Sequence, residues 1–310
     1  MVTMRDTLEY KDLAEQFIVS EGSLTVNAPA KINLSLLIAG KRPDGYHEIN
    51  TIMAKINLFD KIHIEKAALP GLHLKVTGPK WAPEGKENLV YQAAEKILTA
   101  CSCSTPLQVT LEKNIPAGTG LGSASSDAAA TLLGVRKFLD LQISDEKLAE
   151  IASSLGSDVP FFLGGPLAIC TGRGEKLQEI EQEFNFLAVI IIPHISVSTA
   201  EVYRNYKHDN DTYCTLDHKI NAFLCEKRID FIYQMCTNML EVSCFSMNKK
   251  LADLKTDIEN SGIRPVCLSG SGSAMFHIIK DGDLSIARHY KAVIQQKSGC
   301  DCIIVNNIRW

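Results

Sequence analysis

The sequence has no hydrophobic run long enough to cross a membrane. Its longest strongly apolar stretch, Phe186–Ile192, is far shorter than the roughly 20 residues that a membrane-spanning helix needs. A basic excess is also missing, because 32 lysines and arginines stand against 36 acidic residues and the pI is near 6.1. Proteins that bind nucleic acids or anionic membranes usually carry a positive field. We therefore expect neither partner, although a local basic pocket for phosphates stays open.

None of the ten cysteines forms a C-x-x-C motif, and no histidine pair has zinc spacing. Cys101 and Cys103 are separated by one residue, as are Cys300 and Cys302, and the other six are scattered. Residues 1–22 carry acids and no apolar block, so we expect neither a transit peptide nor a signal peptide. We therefore expect a cytoplasmic protein whose cysteines are reduced thiols that pack as small hydrophobes.

Strand-like and helix-like segments alternate in both halves of the chain. This alternation predicts an α+β fold built from α/β two-layer sandwiches. A length of 310 residues favours two domains, and dense charge between residues 175 and 184 marks the predicted boundary. We expect an N-terminal extension over residues 1–23, a first domain over 24–178 and a second domain over 179–310.

The segment that starts at Lys31 alternates between polar and apolar residues, which is typical of a strand with one face on a core. Ile32, Leu34 and Leu36 are predicted to face that core, and Asn33 shares the opposite face with Lys31. Residues 51–56 and 60–65 are predicted to be two further strands. In the second half, residues 219–240 are predicted to form one helix.

A glycine-rich stretch joins a predicted strand to a predicted helix. Its residues are Pro116, Ala117, Gly118, Thr119, Gly120, Leu121, Gly122, Ser123, Ala124, Ser125 and Ser126. Alternate glycines permit positive φ and close approach of a ligand, and the first N–H groups of a helix have no intrahelical partner. With the serine hydroxyls, they predict a cradle for a polyphosphate. The stretch is neither a Walker A loop nor a dinucleotide fingerprint, because the lysine of the first and the third glycine of the second are missing.

This stretch resembles the phosphate-binding loop of the GHMP kinases, the family of galactokinase, homoserine kinase and mevalonate kinase. Residues 29–34, 42–47 and 156–162 match further family segments in order, and Ser269–Ser273 resembles the family's C-terminal glycine motif. The resemblance extends over roughly residues 24–280. It implies a ribosomal-protein-S5-like N-terminal domain, a ferredoxin-like C-terminal domain, and the use of ATP and Mg²⁺. Ser123 and Ala124 stand where members of the family often have glycines.

The resemblance implies two catalytic residues. Asp158 is implied as the base that takes the proton of the acceptor hydroxyl, and Lys31 as its cationic neighbour. A lysine in that place stabilises a developing alkoxide and keeps the aspartate ionised. From the residues alone, the alternatives are that Asp158 caps the turn at Val159 and that Lys31 is a solvated strand residue. We expect Mg²⁺ to be held by phosphates and water, because no carboxylate pair with suitable spacing is visible.

The resemblance is strongest to those members that phosphorylate the 2-hydroxyl of 4-(cytidine 5'-diphospho)-2-C-methyl-D-erythritol in the non-mevalonate pathway to isoprenoids. It implies that Tyr46 and His47 receive the cytosine ring and that Asn33 holds the acceptor end. The other implied contacts are Asn88 for ATP, and Thr199, Tyr203, Gly270, Ser271 and Gly272 for the substrate. The alternatives are a helix cap for Asn88, a packed turn aromatic for Tyr46, a core or surface tyrosine for Tyr203, and a β-turn for residues 270–273.

Two other functions stay open. One is another GHMP kinase that acts on a sugar, homoserine or a mevalonate-type alcohol; Tyr46 and His47 argue against it. The other is an inactive relative that binds ATP or a metabolite; the presence of Lys31 and Asp158 argues against that. We expect a monomer or weak homodimer that binds a small molecule, with no nucleic acid and no membrane as partner.

Overall fold

The computed structural model describes residues 15–182, 184–279 and 282–310. Its strands are β1 (Phe17–Ser20), β2 (Ser23–Lys41), β3 (His47–Lys66), β4 (Leu72–Thr77), β5 (Leu107–Glu112), β6 (Leu167–Gly172), β7 (Lys176–Glu179), β8 (Leu187–Ile192), β9 (Thr237–Asn238), β10 (Cys267–Leu268), β11 (Met275–Ile279) and β12 (Asp301–Asn306). Its α-helices are α1 (Leu89–Ala100), α2 (Ser123–Phe138), α3 (Asp145–Leu155), α4 (Val159–Leu163), α5 (Thr199–Asn205), α6 (Asn210–Cys225), α7 (Ile229–Met235), α8 (Glu241–Met247), α9 (Lys249–Asn260) and α10 (Leu284–Ser298). Across these residues, no helix is both long enough and apolar enough to cross a membrane.

The strands form two sheets within the described parts of the chain. The first has eight strands in the order β1-β2-β3-β5-β4, with β6 beside β3, β7 beside β6 and β9 beside β2. The second has four strands in the order β10-β11-β8-β12, and its neighbours run antiparallel. Helices pack against both sheets, so the predicted α+β fold is confirmed.

The apolar side chains are buried in three groups. Helices α1 to α4 cover the first group on the first sheet, where Ile62 and Leu132 are fully buried. The second group lies between the sheets and joins Ile32 of β2 to Ile190 and Phe276 of the second sheet. A third group lies on the far side of the second sheet, against α9 and α10. Because the middle group draws on both sheets, burial of apolar surface holds the two halves together.

Strand β2 departs from the predicted alternation. Asn33 pairs with Met53 and Ser35 pairs with Ile52, so Leu34 is the extra residue of a β-bulge. Since the bulge reverses the alternation, Leu36 lies on the same side as Lys31 and Asn33, not with Ile32 as predicted. Both faces of this strand are buried, so the prediction of a single core face was also wrong.

Three predicted elements, one helix and two strands, were wrong in extent. The predicted helix over residues 219–240 is divided, because α6 ends at Cys225 and Lys227 takes a left-handed φ of 56° before α7 begins. The two strands predicted over 51–56 and 60–65 join in one strand, β3.

The domain boundary between residues 178 and 179 stays a prediction, and that position lies inside β7. Of the extension predicted over residues 1–23, residues 1–14 lie outside the described residues. Its later part forms β1, which pairs with β2.

One pair of cysteines is not reduced, contrary to the prediction. Cys236 and Cys267 form a disulfide with Cα atoms 5.1 Å apart, although they are 31 residues apart in the sequence. This separation matches no spacing motif, so only the fold brings the two residues together. Cys170, Cys244 and Cys302 are buried free thiols, as expected.

Candidate active site

A cleft of about 900 Å³ lies between the two halves, and it contains most of the predicted site residues. Those that line it are Lys31, Asn33, Tyr46, His47, Pro116, Gly118, Thr119, Gly120, Leu121, Gly122, Ser123, Ala124, Ser125, Asp158, Thr199, Tyr203, Gly270 and Ser271. Four predicted residues do not belong to its lining, namely Asn88, Ala117, Ser126 and Gly272.

Lys31 and Asp158 meet in this cleft. The Lys31 Nζ lies 3.7 Å from the Asp158 Oδ2, and the lysine is buried while the aspartate side chain is 33% exposed. Burial lowers the pKa of Lys31, and the negative charge of Asp158 acts against that shift. Within the described residues the Asp158 carboxylate accepts no capping hydrogen bond from α4, so the alternative of a helix cap is not realised. The carboxylate is therefore free to face a ligand in the cleft.

Asn33 and Thr51, on strands β2 and β3, fix the position of the Lys31 side chain through hydrogen bonds. The Lys31 Nζ donates to the Asn33 Oδ1 at 2.6 Å, and the Asn33 Nδ2 donates to the Thr51 Oγ1 at 2.8 Å. Thr51 in turn donates to the Ser35 carbonyl at 2.6 Å. Thr51 was not predicted as a site residue, because its position depends on the strand register around the bulge.

The glycine-rich loop has the backbone geometry that its sequence predicts. Gly118, Gly120 and Gly122 have φ values of 69°, 79° and 71°, in the left-handed region that favours glycine. A Cβ at Gly120 would stand 2.1 Å from the Ser269 carbonyl oxygen, and one at Gly122 would stand 2.8 Å from the Lys31 Cγ. The loop therefore requires glycine for packing as well as for φ. Its N–H groups at the start of α2 fit a polyphosphate.

The serines after the glycines do not share one role. The Ser123 hydroxyl accepts a hydrogen bond from the Lys113 Nζ and lies 3.3 Å from the Asp60 Oδ2, so it faces away from the cleft. The Ser126 hydroxyl is buried and has no partner among the described residues. Ser125 lines the cleft. Of the three serine hydroxyls predicted to bind phosphate, Ser125 is the one placed to do so.

A closed charge cluster of Asp60, Lys113 and Asp127 lies beneath the start of α2. The Lys113 Nζ lies 2.6 Å from the Asp60 Oδ2, and it also contacts the Asp127 Oδ2. Asp60 further accepts the backbone N–H of Ile115 at 2.8 Å. Burial raises the pKa of Asp127 well above its usual value, although Lys113 opposes the shift. Asp60 and Lys113 are 53 residues apart in the sequence, and their contact was not predicted.

Aromatic side chains line the far end of the cleft. The His47 ring centroid lies 5.3 Å from that of Tyr203 and 5.8 Å from that of Tyr206. Burial, and then the charges of Lys41 and His208, lower the pKa of His47, so its ring is neutral near pH 7. Burial and the charge of Asp158 raise the pKa of the Tyr203 phenol.

Tyr46 differs from these rings because it is 56% exposed. The Arg173 guanidinium lies 5.0 Å from the centre of the Tyr46 ring. Arg173, Lys41 and Arg204 all line the cleft and were not predicted as site residues. Their positive charges suit a ligand with phosphate groups. Arg173 stands between two glycines in the sequence, which was the one available signal for it.

The second glycine turn, Ser269–Ser273, contacts the glycine-rich loop directly. The Ser269 Oγ donates to the Gly120 carbonyl at 3.0 Å, and the Ala274 N–H donates to the Thr119 carbonyl at 3.0 Å. On the other side of the turn, the Ser271 and Thr199 hydroxyls are 2.7 Å apart. The two bonds to the glycine-rich loop join both halves of the chain at the cleft.

Asn88 lies outside the cleft lining and caps α1. Its Oδ1 accepts the Val90 N–H at 2.9 Å, and its Nδ2 donates to the Pro83 carbonyl at 2.6 Å. The alternative of a helix cap is thus realised, and the predicted contact with ATP stays a prediction.

The described residues hold no group of three or more histidine, cysteine, aspartate or glutamate side chains suited to a metal ion. The cleft does offer Asp158 beside the phosphate cradle, where a cation bound to phosphates would lie.

The fold and the cleft define the class of protein as a GHMP-type small-molecule kinase. The family model for the GHMP kinases N terminal domain matches residues 88–166. Homoserine kinase from Cytophaga hutchinsonii has a similar fold, with a TM-score of 0.73 at 17% identity over 96% of this chain and 98% of that one.

Closer relatives narrow the class. A 4-diphosphocytidyl-2-C-methyl-D-erythritol kinase of Bacillus cytotoxicus is 38% identical over 83% of this chain and 88% of its own length. The corresponding kinase of Bacillus mycoides is 37% identical over the same shares. A crystal structure of 4-(cytidine 5'-diphospho)-2C-methyl-D-erythritol kinase matches with a TM-score of 0.71 at 32% identity, over 91% of this chain and 98% of that one. The chain belongs to the family of the 4-diphosphocytidyl-2-C-methyl-D-erythritol kinases.

Proposed function

We propose that this chain transfers the γ-phosphoryl group of ATP to the 2-hydroxyl of 4-(cytidine 5'-diphospho)-2-C-methyl-D-erythritol. The observation that carries the proposal is the composition of the cleft between the two halves. It brings the Lys31–Asp158 pair, the glycine-rich loop and the His47–Tyr203 ring pair into one cavity of about 900 Å³. These three parts correspond to the acceptor hydroxyl, the ATP phosphates and the nucleobase.

Asp158 accepts the proton of the acceptor hydroxyl in this proposal. Its carboxylate is partly exposed to the cleft and lies 3.7 Å from the Lys31 Nζ, so it is accessible to the acceptor hydroxyl. Lys31 lies within reach of the oxygen of the acceptor hydroxyl, and it stabilises the negative charge that develops on that oxygen. Asn33 accepts a hydrogen bond from Lys31 and so orients its ammonium group.

The glycine-rich loop binds the ATP phosphates through backbone N–H groups at the start of α2, where the helix dipole adds positive charge. ATP supplies the transferred phosphoryl group, and Mg²⁺ on its phosphates neutralises charge. Ser125 adds a hydroxyl to this cradle, and Arg173 and Arg204 suit the diphosphate of the acceptor.

The aromatic end of the cleft favours a nucleobase over a sugar. A neutral His47 has one ring nitrogen that donates and one that accepts, which matches the edge of cytosine. Tyr203 presents an aromatic face for stacking next to it. A site for galactose, homoserine or mevalonate has no need of such a ring pair.

The test is a panel of acceptors assayed by ADP release. The purified chain is given ATP, Mg²⁺ and either the cytidine diphosphate-linked methylerythritol, galactose, homoserine or mevalonate. We expect turnover with the first acceptor, and a His47→Phe variant should raise the KM for that acceptor while the KM for ATP stays within twofold. Turnover of only one of the other three would contradict the proposed substrate. ATP binding without turnover of any acceptor would favour an inactive relative.

A further inference from the structure

Lys55 is a buried lysine that does not belong to the lining of the cleft. It lies in the middle of β3 with no exposed surface, and its backbone is fixed on both sides by hydrogen bonds to Pro166 and Ile308. A buried lysine is costly unless its ammonium group finds acceptors. The acceptors that Lys55 finds lie at the C-terminal end of α4, the short helix that follows Asp158.

The Lys55 Nζ donates to the Gly164 carbonyl at 2.6 Å and lies 3.4 Å from the Phe162 carbonyl. These carbonyls are at the C-terminal end of α4, where the last carbonyl groups of a helix have no intrahelical partner. A cation there also interacts favourably with the negative end of the helix dipole. α4 has only five residues, so one lysine can hold much of its C-terminal end.

Lys55 and Lys31 are direct neighbours across the β2–β3 pair, where each is the partner of the other in the register. Side chains that stand opposite each other in a strand pair project from the same face of the sheet. α4 therefore lies over both lysines. Lys31 faces Asp158 at its N-terminal end, and Lys55 binds the carbonyls at its C-terminal end.

We infer that Lys55 is a positioning residue for this reaction: it binds the C-terminal end of α4 and thereby fixes where Asp158 stands against Lys31. The inference rests on the proposed role of Asp158 as the base. Phe162 supplies a second link, because a Cβ at Gly122 would stand 2.9 Å from its Cζ. A shift of α4 would thus disturb both the base and the glycine-rich loop.

The link holds in either protonation state of the lysine. Burial lowers the pKa of Lys55 to about 7, and the charge of Glu179 on β7 acts against this shift. A neutral amine still has two N–H groups to donate to the two carbonyls. The positioning role therefore does not depend on the ammonium charge alone.

The test is a double-mutant cycle with Lys55→Met and Asp158→Asn. Methionine fills a similar volume but donates no hydrogen bond to the carbonyls of α4. We expect Lys55→Met to lower kcat about 10- to 100-fold, as small misplacements of catalytic groups do, with both KM values within twofold. In the Asp158→Asn background the same change should cost less than twofold, because there is no base left to position. Single-turnover assays measure the residual rates.

Lys61→Met is the matched control, because Lys61 lies on the same strand with a side chain 42% exposed. It should leave kcat within twofold. A wild-type kcat for Lys55→Met, or an equal loss in both backgrounds, would overturn the inference. If the methionine variant does not fold, as judged by its thermal unfolding, Lys55→Leu, which also donates no hydrogen bond, replaces it in the cycle.

The cycle uses whichever acceptor the wild-type enzyme turns over. Failure of the proposed substrate therefore shows in the wild type, whereas failure of the positioning role shows only in the variants.

Discussion

Two lysine–carboxylate groups flank the glycine-rich loop, and they are built in opposite ways. Lys31 and Lys113 are both buried, yet Lys31 has a carboxylate 3.7 Å away that is 33% exposed, whereas Lys113 contacts two fully enclosed carboxylates. The first group keeps an oxygen available to a ligand. The second encloses Lys113 with two carboxylates, and its lysine bonds to Ser123 at the start of α2. Accessibility of the carboxylate, more than burial of the lysine, separates the proposed catalytic pair from the enclosed cluster.

Asp158→Asn should have the largest effect on the rate, because it removes the carboxylate of the Lys31–Asp158 pair. Loss of a general base costs about 100- to 10,000-fold in rate. The variant should keep its affinity for ATP, because Asp158 does not belong to the glycine-rich loop. Steady-state kinetics and nucleotide titration measure both quantities, and full activity in the variant would show that the base is assigned wrongly.

Lys113→Met should disrupt the cluster of Asp60, Lys113 and Asp127 and lower the free energy of unfolding. Removal of one partner from a buried ion pair leaves uncompensated charge and typically costs about 3–5 kcal/mol. Urea denaturation measures the free energy of unfolding. Lys147→Met is the control, because Lys147 pairs with Glu150 at the surface, at 2.7 Å, and surface pairs contribute about 1 kcal/mol or less. Equal effects of the two changes would refute the structural role of the cluster.

Ser123→Ala and Ser125→Ala should separate the structural role of the enclosed cluster from the binding of ATP in the cleft. Ser123 bonds to the closed cluster, so its loss should cost about 2 kcal/mol of stability, with the KM for ATP within twofold. Ser125 lines the cleft, so its loss should raise the KM for ATP several-fold without a change in stability. The reverse pattern would mean that Ser123 binds phosphate.

Asp127→Asn should have the smallest effect, and that effect should depend on pH. The folded state raises the pKa of Asp127 above its ordinary value of 3.8, so the proton contributes stability that is present below pH 3.8. This contribution is lost as the pH rises through the folded-state value. Asparagine has no proton to lose, so the free energy of unfolding of the variant should fall less than that of the wild type between pH 4 and pH 8. Parallel curves would contradict the raised pKa.

Much of the cleft was predictable because its residues occur in contiguous motifs. The glycine-rich loop, Tyr46-His47 and Asp158 each lie in a short segment with its own pattern, and the structure brings them to one cavity. Ser123 shows the limit of such patterns. A serine at a helix start suits a phosphate, but the Ser123 hydroxyl accepts a hydrogen bond from Lys113 instead. The position of Lys113 depends on strand β5 and on Asp60, which is distant in the sequence.

The sequence by itself determined the alternation of strands and helices, the glycines that allow left-handed φ, and the order of the motifs, because these depend on neighbouring residues. The tertiary structure alone decided the bulge at Leu34, the Cys236–Cys267 disulfide and the register that sets Lys55 opposite Lys31. Those features join residues that are distant in the chain. Their geometry follows from burial and hydrogen bonding across the fold, which no local pattern records.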